Sequence, residues 1–355
     1  RQQELRILII DGEGKMKALL LKEPHVLEVI DMEMPEPGPG EVRVKVLCTG
    51  ICGSEILAYH GRHFARKPPV VTGHEVCGLV DKLGDGVTAP AVGTRVAAMP
   101  QKSCGTCKWC QSGAPNLCGK RSMLGFPEWQ GSFAEYFVIP ADLLYPVEDN
   151  VSSTVGTLME PLAVGVHAVR RVGVRPGDSI VVFGSGAVGL TCVLAARAAG
   201  AKTIIATDVF DFNLDLARSI GATHTHNARS GSAVDAVMEA TGGEGALHAV
   251  MSAEAPGLVE QALHSLSIRG RLGIVASYAE ATPINLQFVK SREIEILGSL
   301  TYDREDFQKA VNMASEYNDD LQKLVTHVLP LEKGAEAFAL AANRTEDLVR
   351  VAFRL

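Results

Sequence analysis

Four cysteines packed into one short stretch constrain this chain more than any other feature. Cys104, Cys107, Cys110 and Cys118 read C-x2-C-x2-C-x7-C. Four thiolates this close in sequence can surround one zinc ion as a tetrahedron with no open position. Such a site ties a loop together and does no chemistry. Two disulfides, or an iron–sulfur cluster on the same soft ligands, are the alternatives.

The lobe interrupts a β-rich half. The runs MKALLL, EVRVKVLC, GLVDKL, TRVAAM and AEYFVI, between Met16 and Val151, are strand-like. Proline and glycine turns such as PEPGPGE split them. From about Glu160 the texture changes. SIVVFGSG leads into AVGLTCVLAARAAG, then TIIATD, NLDLARSIG, VEQALHSLS, RLGIVAS and EIEILGSL. Strands and helices alternating at this length predict an α/β unit with a doubly wound parallel sheet. EDFQKAVNMASEY and GAEAFALAANR read as helices before a last strand, LVRVAFRL.

Gly184, Gly186 and Gly189 form a G-x-G-x-x-G with Val188 inside it, directly after a strand and opening a helix. The first glycine permits the tight turn and the second lets backbone approach a pyrophosphate. The third lets helix and strand pack closely. Asp208, nineteen residues past Gly189, ends the next strand. An acid there accepts hydrogen bonds from ribose hydroxyls and repels a 2′-phosphate. No cation follows closely in sequence, so NAD is favoured over NADP.

At 355 residues the chain exceeds one ordinary domain, and two are expected. A net charge of −7, with no run of five like charges, argues against nucleic acid or an anionic membrane as partner. The apolar stretch Ser179–Leu194 carries the three motif glycines and is followed by Arg197, so it is not read as a membrane span. Cys48, Cys52, Cys77 and Cys192 form no disulfide-like framework, and no secretory leader is visible. A cytoplasmic setting is expected. Residues 1–15 precede Met16 and read as a leader of unclear role.

A second metal site is suggested by Cys52, His74 in Gly73-His74-Glu75, and Glu160. Cysteine, histidine and a carboxylate would leave one position open, the pattern of a catalytic zinc. Taken in order, GICGSE, GHE, the cysteine lobe, EPLAV and GSGAVG resemble the zinc-dependent medium-chain dehydrogenases, and within them the sorbitol (polyol) branch. The resemblance implies a GroES-like β-barrel catalytic domain over 16–163 and a Rossmann domain over 164–302. Residues 303–355 would return to the catalytic domain. It implies two zinc ions per chain: a structural one on the four cysteines, and a catalytic one on Cys52 and His74, completed by Glu75 or Glu160. It implies NAD as cofactor, a polyol or diol as substrate and Ser54 as the proton's exit. Tyr59, His60 and Phe126 would line the cleft, and the chain would form a homo-oligomer, dimer or tetramer. Two positions depart from the pattern. Leu57 stands where many relatives carry a relay histidine, and Thr301 where polyol enzymes carry arginine.

Overall fold

The computed structural model describes residues 14–278, 280–344 and 347–355. The chain divides into two units. One takes the chain up to Glu160 and from Ala310 onward; the other is Pro161–Lys309. Of the leader 1–15, residues 1–13 lie outside the described residues, and Lys15 opens the first strand.

The first unit is mainly antiparallel β. Lys15–Glu23 pairs with Val26–Glu33 and with Val70–Val71. A larger sheet runs Leu144–Pro146, Arg95–Ala98, Glu75–Leu83, Glu41–Gly50, Arg350–Arg354, Val325–Pro330, with Tyr136–Pro140 also on Glu41–Gly50. In Glu41–Gly50 the alternation of Val42, Val44 and Val46 gives one buried face. At Cys48-Thr49-Gly50 the alternation stops and all three are buried. The strand thus delivers the loop that follows into the interior. Phe133 anchors the core, with Phe353 at 5.2 Å and Phe338 at 5.9 Å between ring centroids. Gln101–Lys102 pairs with Ser122–Met123 and closes the neck of the cysteine lobe.

The second unit holds a six-stranded parallel sheet. Its order is His224–Asn227, Thr203–Asp208, Ser179–Phe183, Ala246–Met251, Leu266–Ile274, Glu295–Gly298. In chain order that is 3-2-1-4-5-6, the doubly wound arrangement. Ile180 to Phe183 are wholly buried, as strands covered on both faces must be. Order reverses between Ser179–Phe183 and Ala246–Met251, which opens a crevice at the strands' carboxyl ends. The glycine motif lies there, between Ser179–Phe183 and the helix Ala187–Ala198. A Cβ at Gly189 would overlap the Gly184 carbonyl oxygen, so only glycine lets this helix seat on its strand. Gly189→Ala should therefore destabilise this unit by about 1–3 kcal/mol through overpacking. Urea unfolding followed by a probe in the second unit checks it, and an unchanged midpoint would refute it.

Candidate active site and metal centres

The inward delivery of Ile51 and Cys52 starts the site. Cys52 caps the helix Gly53–Tyr59, and Glu55, three residues on, closes a capping box. Glu55 Oε2 accepts from the Cys52 amide at 3.0 Å, and Oε1 accepts from His74 Nδ1 at 2.7 Å. Glu55 is fully buried. Burial works to raise its pKa, but the His74 and Arg66 charges hold it at about 2. A carboxylate acceptor puts the proton on Nδ1 and leaves His74 Nε2 as the lone pair that can meet a metal. Burial disfavours a charged His74, and the Glu55 charge overrides it and lifts the pKa well above the usual value.

Glu75 opens its strand opposite Gly50, and Ala352 pairs with Gly50 from the other side. A side chain at position 50 would collide with Glu75 Oε2, so this approach requires glycine. The shared register brings Arg350 Nη1 to 2.9 Å from Glu75 Oε2. The ion pair is close but poorly aimed, because Nη1 donates to the Ile51 carbonyl at 2.7 Å. Neither Glu75 oxygen has a hydrogen-bond partner among the described residues. Burial pushes the Glu75 pKa up to about 7 against the pull of Arg350.

The candidate ligand atoms of His74, Glu75 and Glu160 lie within 4.8 Å of one another, as do those of Cys52, Glu55 and His74. Thiol, imidazole and carboxylate donors converge on His74, beside a buried carboxylate with unmet bonding capacity. That donor set fits a zinc ion. The four lobe cysteines also converge within 4.8 Å. Neighbouring sulfurs are 3.5 Å (Cys107–Cys110), 3.5 Å (Cys104–Cys118) and 3.9 Å (Cys104–Cys110) apart. A disulfide would need about 2.05 Å. A tetrahedron with Zn–S near 2.3 Å has edges of about 3.8 Å. The disulfide alternative is thus excluded, and the geometry fits a closed zinc site. Amides of Thr106 and Cys107 draw the Cys104 thiol down to about 6, toward the thiolate a metal needs.

In the second unit Gly186 caps the helix Ala187–Ala198 without a side chain, which leaves first-turn amides open for an anion. Asp208 is tied to the glycine loop: Oδ2 accepts from the Ser185 amide at 2.6 Å and from Asn213 Nδ2 at 3.2 Å. Oδ1 accepts from the Val209 and Phe210 amides at 2.7 and 3.0 Å. The carboxylate is therefore fixed in place, and a ribose would share it with these donors.

Three functional residues were missed from the sequence: Glu55, Arg66 and Arg350. Glu55 had a local signal in the cap spacing. Arg66 is 3% exposed and reaches Ser54 Oγ (2.9 Å), His74 Nδ1 (3.1 Å) and Glu55 Oε1 (3.4 Å). Its guanidinium also lies over the Phe126 ring, 5.2 Å from the centroid. Of the residues expected to line the cleft, Phe126 joins this group together with His63 and Phe64. Tyr59 and His60 do not. Tyr59 packs on Phe338 at 5.4 Å, and both ring systems cluster with His25. The reason is helical phase: Tyr59 lies five residues after Ser54, about 140° around the helix. His63 does not replace the missing relay histidine. Its Nδ1 accepts from the Ala65 and Arg66 amides at 3.1 and 2.9 Å, and burial followed by the Arg66 charge lowers its pKa to about 4.

Residues 38–149 match the alcohol dehydrogenase GroES-like domain, and 187–316 match the zinc-binding dehydrogenase domain. The chain is 34% identical to D-xylulose reductase A of Aspergillus niger over 329 residues, covering 90% of this chain and 92% of that protein. It is 33% identical to sorbitol dehydrogenase of Bacillus subtilis over 340 residues, covering 95% and 96%. The solved structure of 2R,3R-butanediol dehydrogenase from Bacillus subtilis superposes with a TM-score of 0.88 at 29% identity, covering 96% and 99%. Among the described residues no helix is long and apolar enough to cross a membrane.

The two metal centres should fail separately. Glu55→Gln removes the charge that orients His74 and should weaken metal at that site about 10–100-fold, with the lobe metal retained. Cys107→Ser should do the reverse and lower stability. Zinc counts after graded chelation of each variant distinguish the sites; loss of both ions from either variant would contradict this assignment.

Proposed function

The chain belongs to the zinc-dependent medium-chain dehydrogenase/reductase family, and on that premise we propose that it oxidises a secondary hydroxyl of a polyol or vicinal diol to a ketone with NAD. The observation that carries this reading is the meeting of two donor groups on His74, half-buried Cys52 on one side and buried Glu75 and Glu160 on the other, with both Glu75 oxygens lacking a hydrogen bond among the described residues. Cys52 and His74 would hold the catalytic zinc. Glu75 is our choice of third ligand for its unbonded oxygens, with Glu160 beside it. Zinc there supplies a Lewis acid that lowers the pKa of an alcohol, and NAD supplies the hydride acceptor. Residues of the chain do the rest. Ser54 takes the hydroxyl proton on its oxygen and passes its own onward. Arg66 fills one Ser54 lone pair, which orients the hydroxyl. Arg350 keeps Glu75 from swinging away. The balance is an alcohol plus NAD+ giving a ketone, NADH and one proton. The free thiols support a reducing, cytoplasmic setting. The exposed edge strand Glu295–Gly298, with Ile296 and Leu300 exposed, supports self-association as a homodimer or homotetramer.

The substrate class follows from the polar groups. Carboxylates beside the metal accept bonds from further substrate hydroxyls, and a simple alcohol leaves them unpaired at about 1–3 kcal/mol. Catalytic efficiency should be roughly 5–150-fold higher on butane-2,3-diol, a pentitol or a hexitol than on propan-2-ol. Propan-2-ol matching the best polyol would remove the basis for this class. Asp208→Ala should weaken NADH binding and narrow the preference over NADPH. Fluorescence titration of both nucleotides checks this. A wild-type protein that binds NADPH more tightly would refute it.

A further inference from the structure

Among the described residues, Arg66 is a cation that touches both a candidate metal ligand, His74, and the proposed proton exit, Ser54. The charged groups it meets, Glu55 and His74, are both buried. Glu55 offers only two oxygens. Oε2 is committed to the Cys52 amide, so Oε1 alone serves both His74 Nδ1 at 2.7 Å and Arg66 Nε at 3.4 Å. Arg66 Nη2 also stands 3.1 Å from His74 Nδ1. Guanidinium donates and never accepts. Both nitrogens therefore draw on the negative charge of one carboxylate oxygen. Arg66 Nε has no hydrogen bond among the described residues, so it meets Oε1 as an ion pair while His74 Nδ1 holds the hydrogen bond.

We propose that Arg66 is a positioning residue that deliberately weakens the hold of the Cys52–His74 centre on its metal by drawing negative charge on Glu55 away from His74. The inference rests on the zinc reading above and extends it. A carboxylate behind a ligating imidazole makes that imidazole a better donor. A guanidinium on the same oxygen reduces the effect. It also puts a positive charge beside the imidazole that would carry a divalent cation, in a buried, poorly screened site. Both act in the same direction. Without Arg66, Glu55 would be a buried carboxylate whose charge is relieved chiefly by the cation bound through His74, and metal binding would become more favourable. The ion held with Arg66 present keeps more of its own positive charge, which is what a Lewis acid requires.

The sign of the effect separates this role from a structural one. Loss of a merely structural arginine loosens the site and speeds metal loss; loss of this one should slow it. Two-zinc protein is mixed with a chromophoric chelator, and release is followed for wild type, Arg66→Met, Arg66→Gln and Arg66→Lys. The lobe zinc is the internal control. The catalytic ion should leave Arg66→Met and Arg66→Gln about tenfold more slowly than wild type. Arg66→Lys, which keeps the charge, should stay near wild type. The lobe ion should leave all four at one rate. Arg66→Gln keeps donors for Ser54 and carries the test if the methionine variant fails to fold. Release from both neutral variants at or above the wild-type rate overturns the proposal, as does slow release from Arg66→Lys. A wild type with no ion besides that of the lobe would instead overturn the zinc reading.

Discussion

The first unit is organised around one close approach: the Glu75 carboxylate lies against the backbone of Gly50 and faces Arg350. Three strands meet there in fixed register, since Gly50 pairs with Glu75 on one side and Ala352 on the other. A slip of one residue on either strand would turn the charged partner to the opposite face. The pair is fully buried, and such pairs rarely gain in net stability, because desolvation offsets the attraction. Here the geometry is worse than a structural pair would need. Arg350 spends its Nη1 hydrogen on Ile51, and both Glu75 oxygens lack hydrogen bonds. Each such orphan costs about 1–3 kcal/mol. A fold retains that cost where a cation will offset it.

The two metal centres use opposite physics. The lobe has little apolar core of its own. Its helix Lys108–Gln111 is a single turn with no buried residue, and Trp109 and Leu117 are exposed. Four sulfurs at tetrahedral spacing supply the cross-links that packing does not, so the metal there is a substitute for a core. The Cys52–His74 centre is the reverse. Its candidate ligands come from a helix cap, a loop, a strand that pairs at Gly50 and a separate helix. Packed elements rather than a metal cross-link position those residues, which would let one position stay open for chemistry.

The sequence made the parts with short-range signatures readable. The cysteine spacing, the glycine motif with Asp208, and the alternating runs of the first unit all carry their meaning within a few residues. So did the parallel sheet as a class, because buried strands and amphipathic helices alternate plainly from Ser179 onward. Several elements carried no such mark. Val26–Glu33 is mostly half-exposed, and His224–Asn227 contains no aliphatic residue at all. Pairing, not pattern, makes them strands. Arg350 and Arg66 were unreadable for a deeper reason. Arg350 reaches Glu75 only because a C-terminal strand docks beside Glu41–Gly50. Nothing near either residue in sequence distinguishes it from a surface arginine. Glu55 lies between these cases: its spacing from Cys52 is a capping box, and the same carboxylate that caps the helix aims the histidine. Tyr59 and His60 were assigned to the cleft by the resemblance, and in the structure their rings cluster with His25 rather than with Arg66 and Phe126.

Leu57 and Arg66 together change how a proton can leave. A histidine at 57 would both accept and donate, and could hand a proton from Ser54 to water. Leucine does neither. Arg66 contacts Ser54 Oγ at 2.9 Å but can only donate, and its proton is not released at any ordinary pH. Among the described residues, Arg66 holds Ser54 and cannot relay for it. His63 stands behind Arg66 with its Nδ1 taken by two amides, so it offers no continuation. Among the described residues, Arg66 gives a proton arriving at Ser54 no onward route, so what Ser54 passes on must leave by another path. The arginine exchanges relay for rigidity: Ser54 keeps one lone pair for the incoming proton and one hydrogen to give, in a single orientation. A site without a histidine at position 57 gains more from a metal of high residual charge, because less of the alcohol's proton loss is assisted by a base. The same guanidinium, through Glu55, supplies that condition.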